Sequence, residues 1–219
     1  MLSSNIPKII SILKKEIKRF KTPYVTEVAA ELCKDPFKVL VSCILSLRTK
    51  DDTTRDASVR LFKLASTAEG IIKLPQKKIE KAIYPVGFYR VKAAALKEIS
   101  KKILVKYNGK VPDTIDELLT LKGVGRKTAN LVVTMGFGKP GICVDTHVHR
   151  ITNRWGFVST KTPEATERAL REKLPTRYWI IINDILVTFG QNVCRPVSPF
   201  CSQCVIFKYC ARVGVEKRR

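Results

Sequence analysis

Apolar positions recur along this chain with a spacing close to one helical turn, from near the N-terminus to about residue 190. Ile6, Ile9, Ile10, Leu13, Ile17 and Phe20 fall on one helical face with lysines opposite, which predicts an amphipathic helix. Lys21-Thr22-Pro23 breaks the pattern, and residues 24–33 carry a weaker, ambiguous helical signal. Asp35-Pro36 reads as a cap followed by proline in the first turn, opening a buried helix over 37–47. That apolar run is too long for an ordinary strand. Further helices are predicted at 53–64, 68–74, 76–83 and 90–107, with a turn at Pro85 and Gly87 and a stop at Asn108-Gly109. A pair at 114–121 and 126–135 follows, separated by Gly123 and Gly125 and ended by Gly136, Gly138 and Pro140. One helix begins after Asp145, another opens at Thr162-Pro163-Glu164, and the last covers 178–189. No segment alternates as strands do, no internal repeat appears beyond helix pairs, and no low-complexity linker divides the chain. The fold class is all-α.

The pair of helices around Gly123 and Gly125 has chemical as well as structural meaning. A tight Gly-x-Gly turn feeding a helix points backbone N–H groups outward, and those groups with the helix dipole behind them suit a phosphate. Lys127 lies in the first turn of the second helix. The dipole and neighbouring cations disfavour a charged ammonium there, so this lysine can serve as a nucleophile. An ordinary helical hairpin with a surface lysine is the plainer reading.

Charge narrows the partner. The 219-residue chain carries 41 Lys and Arg against 19 Asp and Glu, a formal net charge of +22, and 45% of its residues are hydrophobic. The basic residues are spread along the chain rather than gathered in a tail, which fits a folded protein with a broad footprint on nucleic acid. A basic ribosomal or membrane-surface protein is the alternative. No apolar run reaches the ~18 residues of a membrane span, and no signal peptide is evident. The expected location is intracellular, cytoplasm or nucleoid, or the nucleus in a eukaryote, and the expected state is a monomer.

The seven cysteines divide unevenly. Cys33, Cys43 and Cys143 sit in apolar company and read as core residues. Cys194, Cys201, Cys204 and Cys210 fall in one short stretch as Cys-x6-Cys-x2-Cys-x5-Cys, a metal or cluster spacing. Structural zinc usually takes two close pairs, whereas only the middle pair is close here, which favours an iron–sulfur cluster. Such a site can be structural and still present Arg195, Lys208 and Arg212 to DNA.

Asp145 follows Lys127 in the chain, in the segment Val144-Asp145-Thr146-His147-Val148-His149. Asp followed by Thr before a helical pattern is what an N-cap looks like, and from the residues alone the cap is favoured. The other reading is a carboxylate that handles protons or stabilises a cationic sugar. His147 and His149, two apart, point to different helix faces and do not form a metal pair.

Taken together, the 121–130 hairpin, the 144–149 segment and the four-cysteine spacing resemble the endonuclease III family of base-excision DNA glycosylases. The likeness runs from about Pro36 to Cys210, and Ser46 to Asp51 and Gly87-Phe88-Tyr89 with Lys92-Ala93 also match family loops. It implies a six-helix barrel domain over 29–139, containing the helix-hairpin-helix at about 114–135. A second helical domain would combine 1–28 with 140–219 and hold a [4Fe–4S] cluster in the 194–210 loop, with DNA in the cleft between the domains. The implied partner is double-stranded DNA with a damaged base or an abasic site. Lys127 would attack C1′ of a flipped nucleotide with Asp145 assisting, and the Schiff base would lead to β-elimination 3′ to the site. Adenine-removing and mismatch-specific relatives lack this lysine. Arg48, Phe88, Gly123, Gly125, Arg126 and Lys127 are the implied DNA contacts, with Asp51 and His147 near the pocket. Arg48 is a departure: the family usually carries glutamine there, at the residue that fills the gap left by the flipped base. The implied activity is removal of oxidised pyrimidines. The alternatives are a lyase acting mainly on abasic sites, a glycosylase with a shifted lesion preference, and a non-catalytic, cluster-containing DNA-binding protein.

Overall fold

The computed structural model describes residues 5–20 and 35–219. The ambiguous 24–33 helix, Cys33 and the expected domain border at 28/29 lie outside them. Among the described residues there are eleven α-helices and no strand. They fall into two compact units, one joining the N-terminal helix α1 (Ile6–Ile17) to Ile142–Arg219, the other ending at Gly141.

In the unit ending at Gly141 the first described helix is α2, Pro36–Ser46, capped by the Asp35 carboxylate, which accepts from Phe37 N and Lys38 N. Eight residues of α2 are buried, so it is the buried helix its apolar run predicted. Around it come α3 (Asp51–Leu64), α4 (Ala68–Lys73), α5 (Gln76–Ile83), α6 (Tyr89–Tyr107), α7 (Ile115–Leu119) and α8 (Arg126–Leu131). Leu40, Leu45, Leu61, Ile71, Ile79, Ile83 and Leu96 are fully buried among them, each contributing about 1.5–3 kcal/mol by leaving water.

The helix expected to continue to residue 135 changes form instead. After Leu131 the backbone widens into a π-helical segment, Val132–Gly136. The sequence pattern does not show this, because the α and π repeats differ little over a single turn. Within this segment Thr134 Oγ1 donates to Asn130 O and Leu131 O.

The other unit packs α1 with α9 (Thr146–Arg154), α10 (Pro163–Lys173) and α11 (Trp179–Asn192) around one core. Ile6, Ile9, Ile10 and Leu13, on the predicted face of α1, are all buried there. Cys194, Cys204 and Cys210 pack against the same core, and Ile206 belongs to it, which anchors the cysteine loop. No helix among the described residues is long and apolar enough to cross a membrane.

Candidate active site, DNA-contact loops and cysteine pocket

The turn between α7 and α8 is built as the glycine pattern suggested. Thr114 caps α7 and Gly125 occupies the N-cap of α8. Gly123 adopts φ +75°, a conformation that side chains resist. Gly125 does not: its φ of −95° and ψ of 176° suit any residue. A Cβ on either glycine would meet no atom within 4 Å. The chain itself therefore has no packing reason for glycine at 125; the open space lies outside, where another backbone can approach. Arg126 and Lys127 follow in the first turn of α8, and Lys127 is exposed. Lys122 is occupied with Glu98 of α6 at 2.7 Å.

Cys43 of α2 lies within electrostatic reach of Lys127. Burial pushes the Cys43 thiol up to about 12, and the positive charge of Lys127 opposes that shift. Cys43 and Cys143 are both buried, as expected of core residues.

Two loops of the same unit meet at one edge. The turn after α2 carries Arg48 at φ +53°, and the turn before α6 carries Phe88 at φ +58°. Phe88 is 61% exposed, which rules out the core role an aromatic there would ordinarily have. The Arg48 guanidinium lies over its ring, 5.7 Å from the centroid. Left-handed backbone at a side-chain-bearing residue costs about 1–3 kcal/mol, while an exposed cation–π contact contributes roughly 0.5–1 kcal/mol. The stack is too weak to hold two such residues. Hydrogen bonds between the loops do more: Gly87 N donates to Thr49 Oγ1 at 3.1 Å. Lys92 Nζ donates to Leu45 O at 2.9 Å, to Thr49 Oγ1 at 3.2 Å and also to Leu47 O. The approach is tight enough that a Cβ on Gly87 would lie 2.6 Å from Arg48 O. Lys92 is buried, and burial pushes its ammonium down to about 8. Asp51 begins α3, where it and Asp52 supply negative charge to the first turn.

In the other unit Asp145 is the N-cap of α9 that the sequence favoured. Its Oδ1 accepts from His147 N and Val148 N, both at 2.9 Å. Its Oδ2 faces His147 Nδ1 at 3.0 Å, so His147 is a partner of the carboxylate. His149 instead meets Thr166 Oγ1 on α10 at 2.6 Å, so the two histidines serve different faces.

Cys194, Cys201, Cys204 and Cys210 line one pocket with Trp155 and Ile206, about 380 Å³ of space including its opening to solvent. Among the described residues, no three His, Cys, Asp or Glu side chains close on a single metal ion. The four cysteines border a shared space instead, as a polynuclear cluster requires. Burial pushes the Cys204 thiol up to about 11, and Cys210, Cys194 and Cys201 push the same way. Burial raises the Cys210 thiol as well, so a cationic centre favours the thiolate form of these two. The arginines that hold this loop, Arg150 and Arg154, belong to no motif in the sequence. Arg154 Nη1 donates to Cys194 Sγ at 3.5 Å and to Arg195 O at 2.7 Å, and its Nη2 to Pro196 O at 2.6 Å. Arg150 Nη2 reaches Cys194 O at 3.0 Å. Arg212, expected to face DNA, is engaged in the loop: it donates to Phe207 O and Cys210 O and stacks on Phe207. Arg195 and Lys208 remain exposed. The helical spacing of Arg150 and Arg154 is the only signal for their role, and surface arginines share it.

Residues 41–176 match the model of the HhH-GPD superfamily of base excision DNA repair proteins. The chain is 48% identical over 176 residues to endonuclease III of Thermotoga maritima, covering 80% of this chain and 83% of that protein. It is 44% identical to endonuclease III homolog 1, chloroplastic, of Arabidopsis thaliana, of which it spans 48%. A solved structure of a trapped endonuclease III–DNA covalent intermediate superposes with a TM-score of 0.76 at 34% identity, covering 86% of this chain and 93% of that one. A family model matching more than half of the residues, and a bacterial relative near one-half identity along most of its length, place the chain in the endonuclease III family of base excision DNA repair proteins.

Proposed function

We propose that Lys127 and Asp145 remove oxidised pyrimidines from duplex DNA and then cut the strand. As a member of the endonuclease III family the chain is a DNA glycosylase and AP lyase, and its partner is DNA. The observation that carries the residue assignment is the exit of the hairpin. Gly125 is glycine without any internal need for it, and the exposed Lys127 stands two residues beyond, where a phosphate held by the hairpin would bring the sugar.

A base inside the duplex hides its glycosidic bond, so the nucleotide is flipped out. The Lys127 amine attacks C1′, the glycosidic bond breaks, and the base departs having taken up a proton. The attached nitrogen gives up a proton, and the sugar ring opens at O4′, which takes one up as the C1′=N bond of the Schiff base forms. That cationic imine acidifies C2′–H, and loss of this proton expels the 3′ phosphate. Asp145 stabilises positive charge on the sugar and handles protons; as a helix cap it is already oriented by two backbone N–H groups. Gly123, Gly125 and Arg126 hold backbone phosphate, while Arg48 and Phe88 occupy the duplex where the nucleotide has left. Asp51 and His147 belong to the pocket surroundings, His147 through its contact with Asp145.

The cysteine loop fits a [4Fe–4S] cluster, held by Cys194, Cys201, Cys204 and Cys210. When bound, the cluster supplies cross-linking of a loop with little core of its own. Arg154 and Arg150 brace that loop from α9, so that Arg195 and Lys208 face outward toward DNA phosphates.

Borohydride trapping on a duplex with one thymine glycol, with Lys127→Ala alongside, tests the assignment. A covalent adduct dependent on Lys127 is the expected result. An adduct on an abasic site but not on thymine glycol would keep the lyase and move the lesion. No adduct on either would leave a DNA-binding role for the fold.

A further inference from the structure

Lys92 is placed as no DNA-contacting or core residue needs to be. It lies in the first turn of α6, and its backbone N donates to Phe88 O at 3.0 Å, closing a helical bond behind Phe88. Its side chain runs the other way, to the turn that carries Arg48. An ammonium has three donors and no acceptor, and here all three have acceptors: Leu45 O, Leu47 O and Thr49 Oγ1. Thr49 Oγ1 receives Gly87 N as well, so one hydroxyl joins the two turns. Burying a lysine is unfavourable unless its charge is matched, and an apolar residue would fill the same volume without that demand. What the charge accomplishes is a single attachment of two loops, remote in sequence, whose tips are both held in left-handed backbone.

We infer that Lys92 is a positioning residue that locks the Arg48 turn to the Phe88 turn, so that the two side chains enter the duplex as one preformed wedge. The inference rests on the reading of Arg48 and Phe88 as duplex-invading residues. Lys92 itself touches neither the DNA nor the reacting atoms. Its contribution is made before chemistry, by removing the need to order two loops when the nucleotide is expelled. It therefore matters for duplex substrates and not for a strand that has nothing to open.

The test uses Lys92→Met and, as a milder variant that leaves the ammonium, Thr49→Val. Hydrogen exchange is followed in peptides spanning residues 45–50 and 84–89, without DNA. Base removal is followed on a thymine-glycol duplex, and borohydride trapping on a single-stranded abasic oligonucleotide. The expected result is roughly tenfold faster exchange in both segments with the remainder unchanged. Base removal from the duplex falls about 10- to 100-fold, and trapping on the single strand changes by less than about threefold. Unchanged exchange, or faster exchange with undiminished activity on the duplex, overturns the inference. Equal losses on duplex and single strand also overturn it, since Lys92 would then be a residue of the fold alone. If Lys92→Met does not fold, Thr49→Val decides by the same criteria. A wild-type protein that traps neither substrate refutes the enzymatic reading instead, and the exchange result still accepts or rejects the lock.

Discussion

Arg48 and Phe88, carried by two turns far apart in sequence, stack on each other with the guanidinium 5.7 Å from the ring centroid, each in left-handed backbone. On the proposed reading, in which both side chains enter the duplex together, their contributions to opening DNA should not add. Arg48→Ala and Phe88→Ala are each expected to slow base removal. The double variant should fall short of the sum by about 0.5–1.5 kcal/mol. Single-turnover rates on a thymine-glycol duplex measure this; additivity within about 0.3 kcal/mol would mean the residues act separately. Arg48→Gln, which installs the residue usual in the family, should change the preference for the opposite base more than the rate on any one duplex.

Lys127 is exposed at the start of α8 and carries none of the buried core. Replacing it with alanine should leave helical content and melting temperature close to wild type, with the change in stability within about 0.5 kcal/mol. Covalent trapping should disappear. Retained trapping at wild-type yield would remove Lys127 from the mechanism.

Asp145 is both a cap and the proposed carboxylate, and two substitutions separate these roles. Asparagine accepts the same backbone hydrogen bonds but cannot carry charge, so Asp145→Asn should keep stability within about 0.5 kcal/mol. Base removal in that variant should fall about 100-fold. Asp145→Ala loses the cap as well and should cost a further ~0.5–2 kcal/mol in a urea melt. An asparagine variant that is destabilised yet fully active would assign Asp145 to the fold alone.

Replacing Cys204 by serine should lower bound iron and the visible absorbance of the purified protein, and weaken DNA binding at low salt. Trp155 lines the same pocket, so its fluorescence should report the change. DNA affinity that survives complete loss of iron would show that the loop places Arg195 and Lys208 without a cluster.

Lys92 gives a pH effect with a definite sign. Burial pushes its folded-state value down to about 8, below the ordinary lysine value of about 10.4. Between these pH values the unfolded chain holds a proton that the folded chain has released. Stability therefore rises with pH through that window, because the cost of burying the charge is relieved. Denaturant melts at pH 7.5 and 9.5 should show a gain on the order of 1–3 kcal/mol in wild type relative to Lys92→Met. The same slope in both proteins would contradict the shift.

Most of the helices follow from local rules. The Asp35-Pro36 start, the Ile6 to Leu13 face and the Thr162-Pro163 opening each depend on neighbours within a turn, and each appears where its pattern put it. The hairpin was legible for the same reason, since Gly123 encodes a backbone shape rather than a distant contact. The cap at Asp145 was equally local. The four-cysteine spacing announced a shared site, because donors crowded into so short a stretch have few ways to avoid one another.

Tertiary structure decided what spacing does not carry. Lys92 looks like any lysine on a helix; it is buried because the end of α2 and the turn after it, much earlier in the chain, supply three acceptors. Arg212 is drawn into the cysteine loop, its guanidinium donating to Phe207 O and Cys210 O. Arg150 and Arg154 brace a loop that lies beyond two intervening helices in sequence. Hydrophobic period and capping are read along the chain because their physics acts within one turn. The partner of a long cation is set by which carbonyls the fold leaves without helical donors, and that becomes known only when the loops are packed together.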